Sequence, residues 1–377
     1  MTNKILIVTG EASGDLHGGL LTGELKKLNP DLEIFAVGSK KMEAEGAKII
    51  FESTQLAIFG FTEIFSRLNL IKKAFDIIKK FVYSERPSLV ILIDYPGFNI
   101  RLAHFLNNQR IPVVYYISPQ IWAWNSGRIN VLKKLIKKII VILPFEEDIY
   151  KKAGINAEFV GHPLLDLVKP GFSKEEIMKK FGFNENAPVI GLLPGSRPEE
   201  VNNLLPVMAD VCKRLKNNMP AIQFFICWAN NLDIKVIEKN LKKADFPVSI
   251  ICGWNYELIS VSDIVMVASG TATLETAILK TPMVILGKIS FFSSILARIL
   301  IKIPYLGLPN ILAGKMIVPE FLQGNARAGK IYPAVWELIQ NKNKHEEMKE
   351  NLISIYKKLG DPGAAKRAAL SILKELK

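Results

Sequence analysis

Cysteine is scarce in this chain. Cys212, Cys227 and Cys252 are the only three in 377 residues, widely spaced and odd in number. No CxxC pair occurs, which removes a disulfide framework and a cysteine-based zinc site and fits a reducing cytosol. Histidine is as sparse: His17, His104, His162 and His345 are scattered, so no metal centre is expected. No run approaches the ~18 uninterrupted apolar residues of a spanning helix. Met-Thr-Asn-Lys leads straight into a strand-like run, without the apolar region and cleavage site of a signal peptide. These absences point to a cytoplasmic chain, soluble or lying on a membrane surface. Acidic residues are short as well, 36 Asp and Glu against 49 Lys and Arg, for a net charge of +13. That balance suits anionic partners (nucleic acid, an anionic membrane face or phosphorylated substrates), or lysine serves only as the solubilising residue.

Hydrophobic residues, at 49%, are ample for two cores, and the length favours two domains. Short apolar runs alternate with helical patterns. The first half has strand candidates at 4–9, 33–37, 89–93, 112–117 and 139–143, with helices at 16–28, 69–83 and 99–109. The second half repeats the scheme with strands at 188–193, 222–227, 248–251, 263–267 and 282–286 and helices at 198–216, 231–243 and 271–279. Continuous apolar strands imply parallel sheets covered on both faces, an α/β class. The join is expected within 164–186. The tail reads as two amphipathic helices around Gly360-Asp361-Pro362-Gly363, Asp361 resembling an N-cap before a first-turn proline.

Each half carries a Gly-rich strand-to-helix turn, Gly10 to Asp15 in the first and Pro194 to Arg197 in the second. Such turns place backbone N–H groups and a helix N-terminus against a ligand. Two of them suggest two doubly wound halves facing one cleft. In the second half Ser269, Gly270 and Thr271 open a further helix; Ser269 or Thr271 can cap it, and the free N–H groups there favour an anion. Glu275, one turn in, is poorly suited to phosphate but suits a ribose diol; alternatively it closes a capping box. Arg197, expected in a helix's first turn, could clamp a diphosphate or simply be exposed.

Asp94 ends the 89–93 strand at its carboxyl end, where open α/β sheets bind ligands. Burial there would raise its pKa and suit a general base; alternatively it caps the helix near 99. Trp122 and Trp124 form an apolar wall, an interfacial anchor or ordinary core. Arg128, Lys133, Lys134, Lys137 and Lys138 read as one solvated helix face. The segment 56–83 is more suggestive. Phe59, Phe61, Ile64, Phe65, Leu68, Leu70 and Ile71 exceed what one helix face buries, and Arg67, Lys72 and Lys73 lie among them, as an interfacial helix on anionic lipid requires. The stretch 291–303 has similar character.

The motifs GEASGD at 10–15, DYPGFN at 94–99, SPQIWAW at 118–124, LPFE at 143–146, GHP at 161–163, LLPGSR at 192–197, SGTATLE at 269–275, LPN at 308–310 and PEFLQ at 319–323 occur in order across nearly the whole chain. Together they resemble the lipid-A-disaccharide synthase family, glycosyltransferases of family 19 with the GT-B fold of two Rossmann-like domains. The resemblance implies an acceptor and membrane-side domain at 1–170, a UDP-sugar donor domain at 171–342 and C-terminal helices at 343–377 that pack back on the first. It implies condensation of UDP-2,3-diacylglucosamine with 2,3-diacylglucosamine 1-phosphate (lipid X) to a β-1,6-linked disaccharide 1-phosphate and UDP. This is a step of lipid A and lipopolysaccharide biosynthesis at the inner face of a Gram-negative inner membrane. By position, Asp94 resembles the catalytic base, and Arg197, Ser269, Gly270, Thr271, Glu275 and Asn310, with Gln323 more weakly, resemble the donor UDP site. Glu11, Ser13, Gly14, Asp15 and Trp122 would line the acceptor side. Phe59, Phe61, Phe65, Leu68 and Trp122 would touch inner-membrane phospholipid.

The α-linked donor and β product imply a single inverting displacement, needing one base and stabilisation of departing UDP; no DxD-like pair and no cofactor is expected. Ile121 stands where the family carries Val, and the stretch Gly324-Asn325-Ala326-Arg327 falls outside the matched motifs. Family members can form homodimers. The alternative reading is a UDP-GlcNAc 2-epimerase-like enzyme of the same fold, which needs no membrane segment. A nucleic-acid-binding protein is disfavoured, because no recognised module is present.

Overall fold

The computed structural model describes residues 3–10, 12–56, 64–119, 128–230, 232–242, 244–288 and 305–376. They fall into two compact units, one of residues 1–163 and 359–377, the other of residues 164–358. The sequence reading puts the boundaries at 170/171 and 342/343 instead.

The first unit is built on strands β1 (Lys4–Val8), β2 (Glu33–Gly38), β3 (Lys48–Glu52), β4 (Leu89–Ile93), β5 (Val113–Tyr116), β6 (Lys138–Val141) and β7 (Ala157–Phe159). Among the described residues they form one sheet in the order β3-β2-β1-β4-β5-β6-β7, with every pairing parallel. The second unit holds β8 (Val189–Leu193), β9 (Gln223–Trp228), β10 (Ser249–Cys252), β11 (Ile264–Ala268), β12 (Met283–Gly287) and β13 (Glu320–Leu322). These run β10-β9-β8-β11-β12-β13, again all parallel. The uninterrupted apolar strands are the cause: β4 and β11 are buried at every residue, so both faces need helices and the crossovers must be parallel. The α/β doubly wound class is as expected.

β3, β7 and β13 lie outside the expected strands. Each sits at a sheet edge, and β7 and β13 have three residues each, too short to leave a period. The basic run 133–138 is not one helix face. The helix ends at Leu135, and Lys138 is buried in β6, its Nζ 2.6 Å from Glu158 and 3.8 Å from Glu375. Likewise Asp361 caps nothing: Gly363 holds the N-cap position of the helix Ala364–Glu375, at φ +92°.

That last helix packs on the helix Ala12–Leu28 of the first unit, burying Ala368, Ala369 and Ile372. Arg367 fastens it, donating from Nε to the Val160 carbonyl (2.8 Å) and from Nη1 to the Pro362 carbonyl (2.8 Å). The helix Ile64–Glu85 buries Ala74, Ile78 and Val82 in the core, with Ile71 packed against it, and exposes Lys72, Lys73 and Lys80. Ile71 is therefore core, not lipid-facing surplus.

The scattered histidines are partly gathered. His17 on the first helix and His162 after β7 are near enough for charge on one to oppose charge on the other. Burial, helped for His17 by Lys41, pushes His17 down to about 4 and His162 to about 3. Both therefore fold neutral, whereas the unfolded chain protonates them near pH 6.5. Stability from this source is complete above pH 6.5 and is lost as pH falls toward 4, at about 1.4 kcal/mol per pH unit per histidine. Urea unfolding of the first unit at pH 7 and pH 5 should show this loss. His162→Gln should flatten the dependence, and equal slopes in the two proteins would remove His162 from the account.

Candidate active site

In each sheet the strand order reverses beside the first strand of its unit, between β1 and β4 and between β8 and β11. A doubly wound sheet leaves a crevice at such a switch point, outside the carboxyl ends of its strands. The motifs GEASGD, DYPGFN, LLPGSR and SGTATLE follow the four strands beside these points.

In the second unit a cavity of about 380 Å³ opens at this place, lined among others by Gly195, Arg197, Glu200, Ser269, Thr271 and Glu275. Pro194 to Arg197 leave the end of β8. Gly195 has φ +116°, and a Cβ there would meet the Glu200 carboxylate, so only glycine lets the turn close. Arg197 is not in the helix's first turn but at the N-cap position of the helix Pro198–Asn218. Its side chain is 72% exposed, with Nη1 3.7 Å from Glu200 Oε1. Glu200 Oε2 accepts the backbone N–H groups of Ser196 (3.0 Å) and Arg197 (3.3 Å). The N–H groups of Ser196 and Arg197 are thus already engaged.

The turn after β11 differs. Gly270 is the N-cap residue of the helix Thr271–Ile278, and no side chain caps it. Ser269 and Thr271 are not caps, and Glu275 closes no capping box. Glu275 instead takes the Tyr256 hydroxyl at Oε1, 3.3 Å away. Burial raises the Glu275 pKa, and the Tyr256 hydrogen bond opposes the rise. The cavity therefore offers an uncapped helix start for an anion, a guanidinium at its rim, and a carboxylate largely out of water.

Asn310 is fully buried and turned inward. Its Nδ2 donates to the Val318 carbonyl (2.8 Å) and Glu320 Oε1 (2.7 Å), while Oδ1 accepts from the N–H groups of Ile317 (2.7 Å) and Val318 (3.0 Å). Its amide has no bond left to give a ligand. Gln323 begins a 3₁₀ turn just past β13 at φ +51°, and is not among the residues lining the cavity.

In the first unit Asp94 follows β4 and is exposed, so the burial expected to raise its pKa is absent. It caps no helix: the next begins at Pro96, with Tyr95 at the N-cap position. Asp94, Tyr95 and Ile117 have φ of +47°, +48° and +57°. Three such side-chain-bearing residues, one β-branched, mark a strained turn of the kind held at functional sites. The restraints are explicit. The Asp94 carbonyl accepts from Tyr115 Oη and from Asn99 Nδ2, both at 2.7 Å, and the Asp94 N–H donates to the Ile117 carbonyl at 3.2 Å. Gly10 brings the GEASGD turn against this one, since a Cβ there would run into the Tyr95 ring.

Of the GEASGD residues, Ser13 is exposed and Gly14 lies against Thr9. Asp15 is buried, its carboxylate accepting the N–H groups of Ser39 (2.6 Å) and Lys41 (3.2 Å) at the start of the helix Lys40–Ala44. It is an N-terminal cap supplied from another helix. Glu11, Phe59, Phe61, Trp122 and Trp124 lie outside the described residues, as does 291–303, and the side chains of Phe65 and Leu68 are likewise outside the description. Tyr256, Asn255 and Glu200 belong to the site of the second unit and Tyr115 to that of the first, none with a local sequence signal; Asn99 is the last residue of DYPGFN.

Two parallel, doubly wound sheets, each with a switch-point site, make up an α/β architecture of the GT-B type. Two solved structures share the fold: a Neisseria meningitidis UDP-GlcNAc 2-epimerase bound to UDP-GlcNAc (16% identical, TM-score 0.66, covering 98% of this chain and 100% of that one) and the S. aureus MnaA–UDP co-structure (14% identical, TM-score 0.68, covering 100% and 98%). At that identity they establish the fold alone. The family model described as lipid-A-disaccharide synthetase matches residues 5–373. The lipid-A-disaccharide synthase of Syntrophus aciditrophicus is 41% identical over 374 residues, 99% of this chain and 98% of the relative. The chain belongs to the lipid-A-disaccharide synthase family and is a glycosyltransferase; the epimerase reading rests on shared fold only.

If Asn310 is structural, Asn310→Ala strands buried N–H and carbonyl groups and should cost on the order of 3 kcal/mol. A thermal melt should show a lowered midpoint, with UDP affinity at 10–15 °C close to that of the parent. A stable variant that no longer bound UDP would return Asn310 to the ligand site.

Proposed function

We propose that the enzyme transfers 2,3-diacylglucosamine from UDP to the 6-hydroxyl of 2,3-diacylglucosamine 1-phosphate, releasing UDP and a β-1,6-linked disaccharide 1-phosphate. The observation that carries this reading is the cavity after β8 and β11, where a shielded carboxylate, an uncapped helix start and Arg197 lie together. A nucleoside diphosphate presents the matching groups: two neutral hydroxyl donors for Glu275 and oxyanions for the helix start and Arg197. Negative charge accumulates on the UDP oxygens as the glycosidic bond breaks, so these donors stabilise the transition state more than the ground state.

The first unit then supplies the acceptor half-reaction. Asp94, exposed on its strained turn, takes the proton of the attacking hydroxyl, and Ser13 and Gly14 line the acceptor. A solvated carboxylate is a weak base, so its positioning must carry much of the effect. Both substrates bear acyl chains. Phe59, Phe61, Phe65, Leu68 and Trp122 would meet the phospholipid surface, with Lys72, Lys73 and Lys80 exposed further along the same chain segment to attract anionic headgroups. Among the described residues no helix is long and apolar enough to cross a membrane.

Mixing the protein with the two acylated substrates, detergent and EDTA should yield the disaccharide 1-phosphate with one UDP per product. Consumption of UDP-GlcNAc by isomerisation, with no disaccharide, would sink the reading. Asp94→Asn should lower turnover by ~10²–10⁴ while leaving UDP affinity intact; near-normal turnover would exclude the base role.

A further inference from the structure

We propose that Tyr256 is a positioning residue for Glu275, holding its carboxylate for the vicinal diol of the nucleoside and thereby setting the preference for a ribonucleotide. The inference rests on the reading of Glu275 as the ribose contact.

Glu275 lines the cavity one turn into the helix Thr271–Ile278, largely out of water. Among the described residues no lysine or arginine forms an ion pair with it; the hydrogen bond from Tyr256 Oη to Oε1 at 3.3 Å is its side-chain contact. A shielded carboxylate without a cation needs several donors to remain charged. Tyr256 supplies one, which leaves lone pairs on both oxygens, principally Oε2, for others. A diol brings two O–H donors, no charge and the right spacing to bridge a carboxylate. A phosphate brings only acceptors and is repelled.

Tyr256 is itself well held. It sits in the helix Asn255–Val261, whose neighbour Asn255 lines the same cavity. The preceding Trp254 packs on Phe172 (ring centroids 5.0 Å) and Phe181 (5.6 Å), with Lys180 Nζ 4.4 Å from its ring centre. Burial and the Glu275 charge push the phenol pKa upward, so the hydroxyl keeps its proton and stays a donor at neutral pH. Its role is to fix the carboxylate in one rotamer before the nucleotide arrives, so that less ordering remains to be done on binding.

The test compares UDP with 2′,3′-dideoxy-UDP by titration calorimetry on the full chain. The parent should prefer UDP. Tyr256→Phe should weaken UDP about tenfold and leave dideoxy-UDP unchanged, which also shows that the variant is folded. Glu275→Gln should abolish the preference, and adding Tyr256→Phe to it should change nothing further. Equal loss for both nucleotides, or loss for neither, in Tyr256→Phe overturns the inference while Glu275→Gln still removes the preference. A Glu275→Gln variant that keeps the preference overturns the ribose reading as well, and the inference falls with it.

Discussion

The central strands of this enzyme are buried on both faces, and much else follows from that constraint. Every residue of Leu89–Ile93 and Ile264–Ala268 is buried. A strand of that kind cannot lie at a solvated sheet surface. It requires helices above and below, and helices above and below require parallel crossovers. Parallel order puts the carboxyl ends of all strands on one edge. Where the order reverses, two loops diverge and leave room for a ligand. Asp94 and the GEASGD turn, Arg197 and Glu275 stand where they do because Val, Ile and Leu fill the strands before them.

The polar groups at those edges divide into those the fold consumes and those it leaves over. Asp15 caps a neighbouring helix, Asn310 pins the segment before β13, and Glu200 engages the N–H groups of the Pro194–Arg197 turn. Asp15 and Asn310 look like ligand groups in the sequence, because Asp and Asn near glycine serve caps and ligands alike. Only the partners distinguish the uses, and the partners are 24, 8 and 4 residues away. What is left over is the uncapped start at Gly270, the Arg197 guanidinium and the open part of the Glu275 carboxylate.

Sequence legibility followed the same division. Central strands, the two Gly-rich turns and the motif order were readable because they are local and periodic. β3, β7 and β13 were not, being edge strands: Lys48–Glu52 carries charge at both ends and is only partly buried, and Ala157–Phe159 has too few residues to show alternation. Lys138 belongs to a strand although helix and strand share a lysine-rich junction, and nothing local says that Glu158 and Glu375 await it. Burial of Asp94 was expected from the apolar strand before it, yet the chain turns into positive φ at that residue and carries it out of the core.

That turn shows how the fold can support chemistry at a solvated carboxylate. A side-chain-bearing residue in the left-handed region costs roughly 1–3 kcal/mol, and here Asp94, Tyr95 and Ile117 share the region. Exposure alone would leave Asp94 an ordinary surface acid, free to adopt several rotamers and backbone states. The Tyr115 hydroxyl and Asn99 amide remove the backbone freedom by holding the Asp94 carbonyl from within the core. Tyr115 is itself fully buried, so its hydroxyl has little else to bond and no water to compete for it. The strain is thus offset by hydrogen bonds made under the sheet edge, while the carboxylate above it remains accessible. Order comes from the core and access from the solvent side, and a carboxylate proposed as the base gains from being fixed in place.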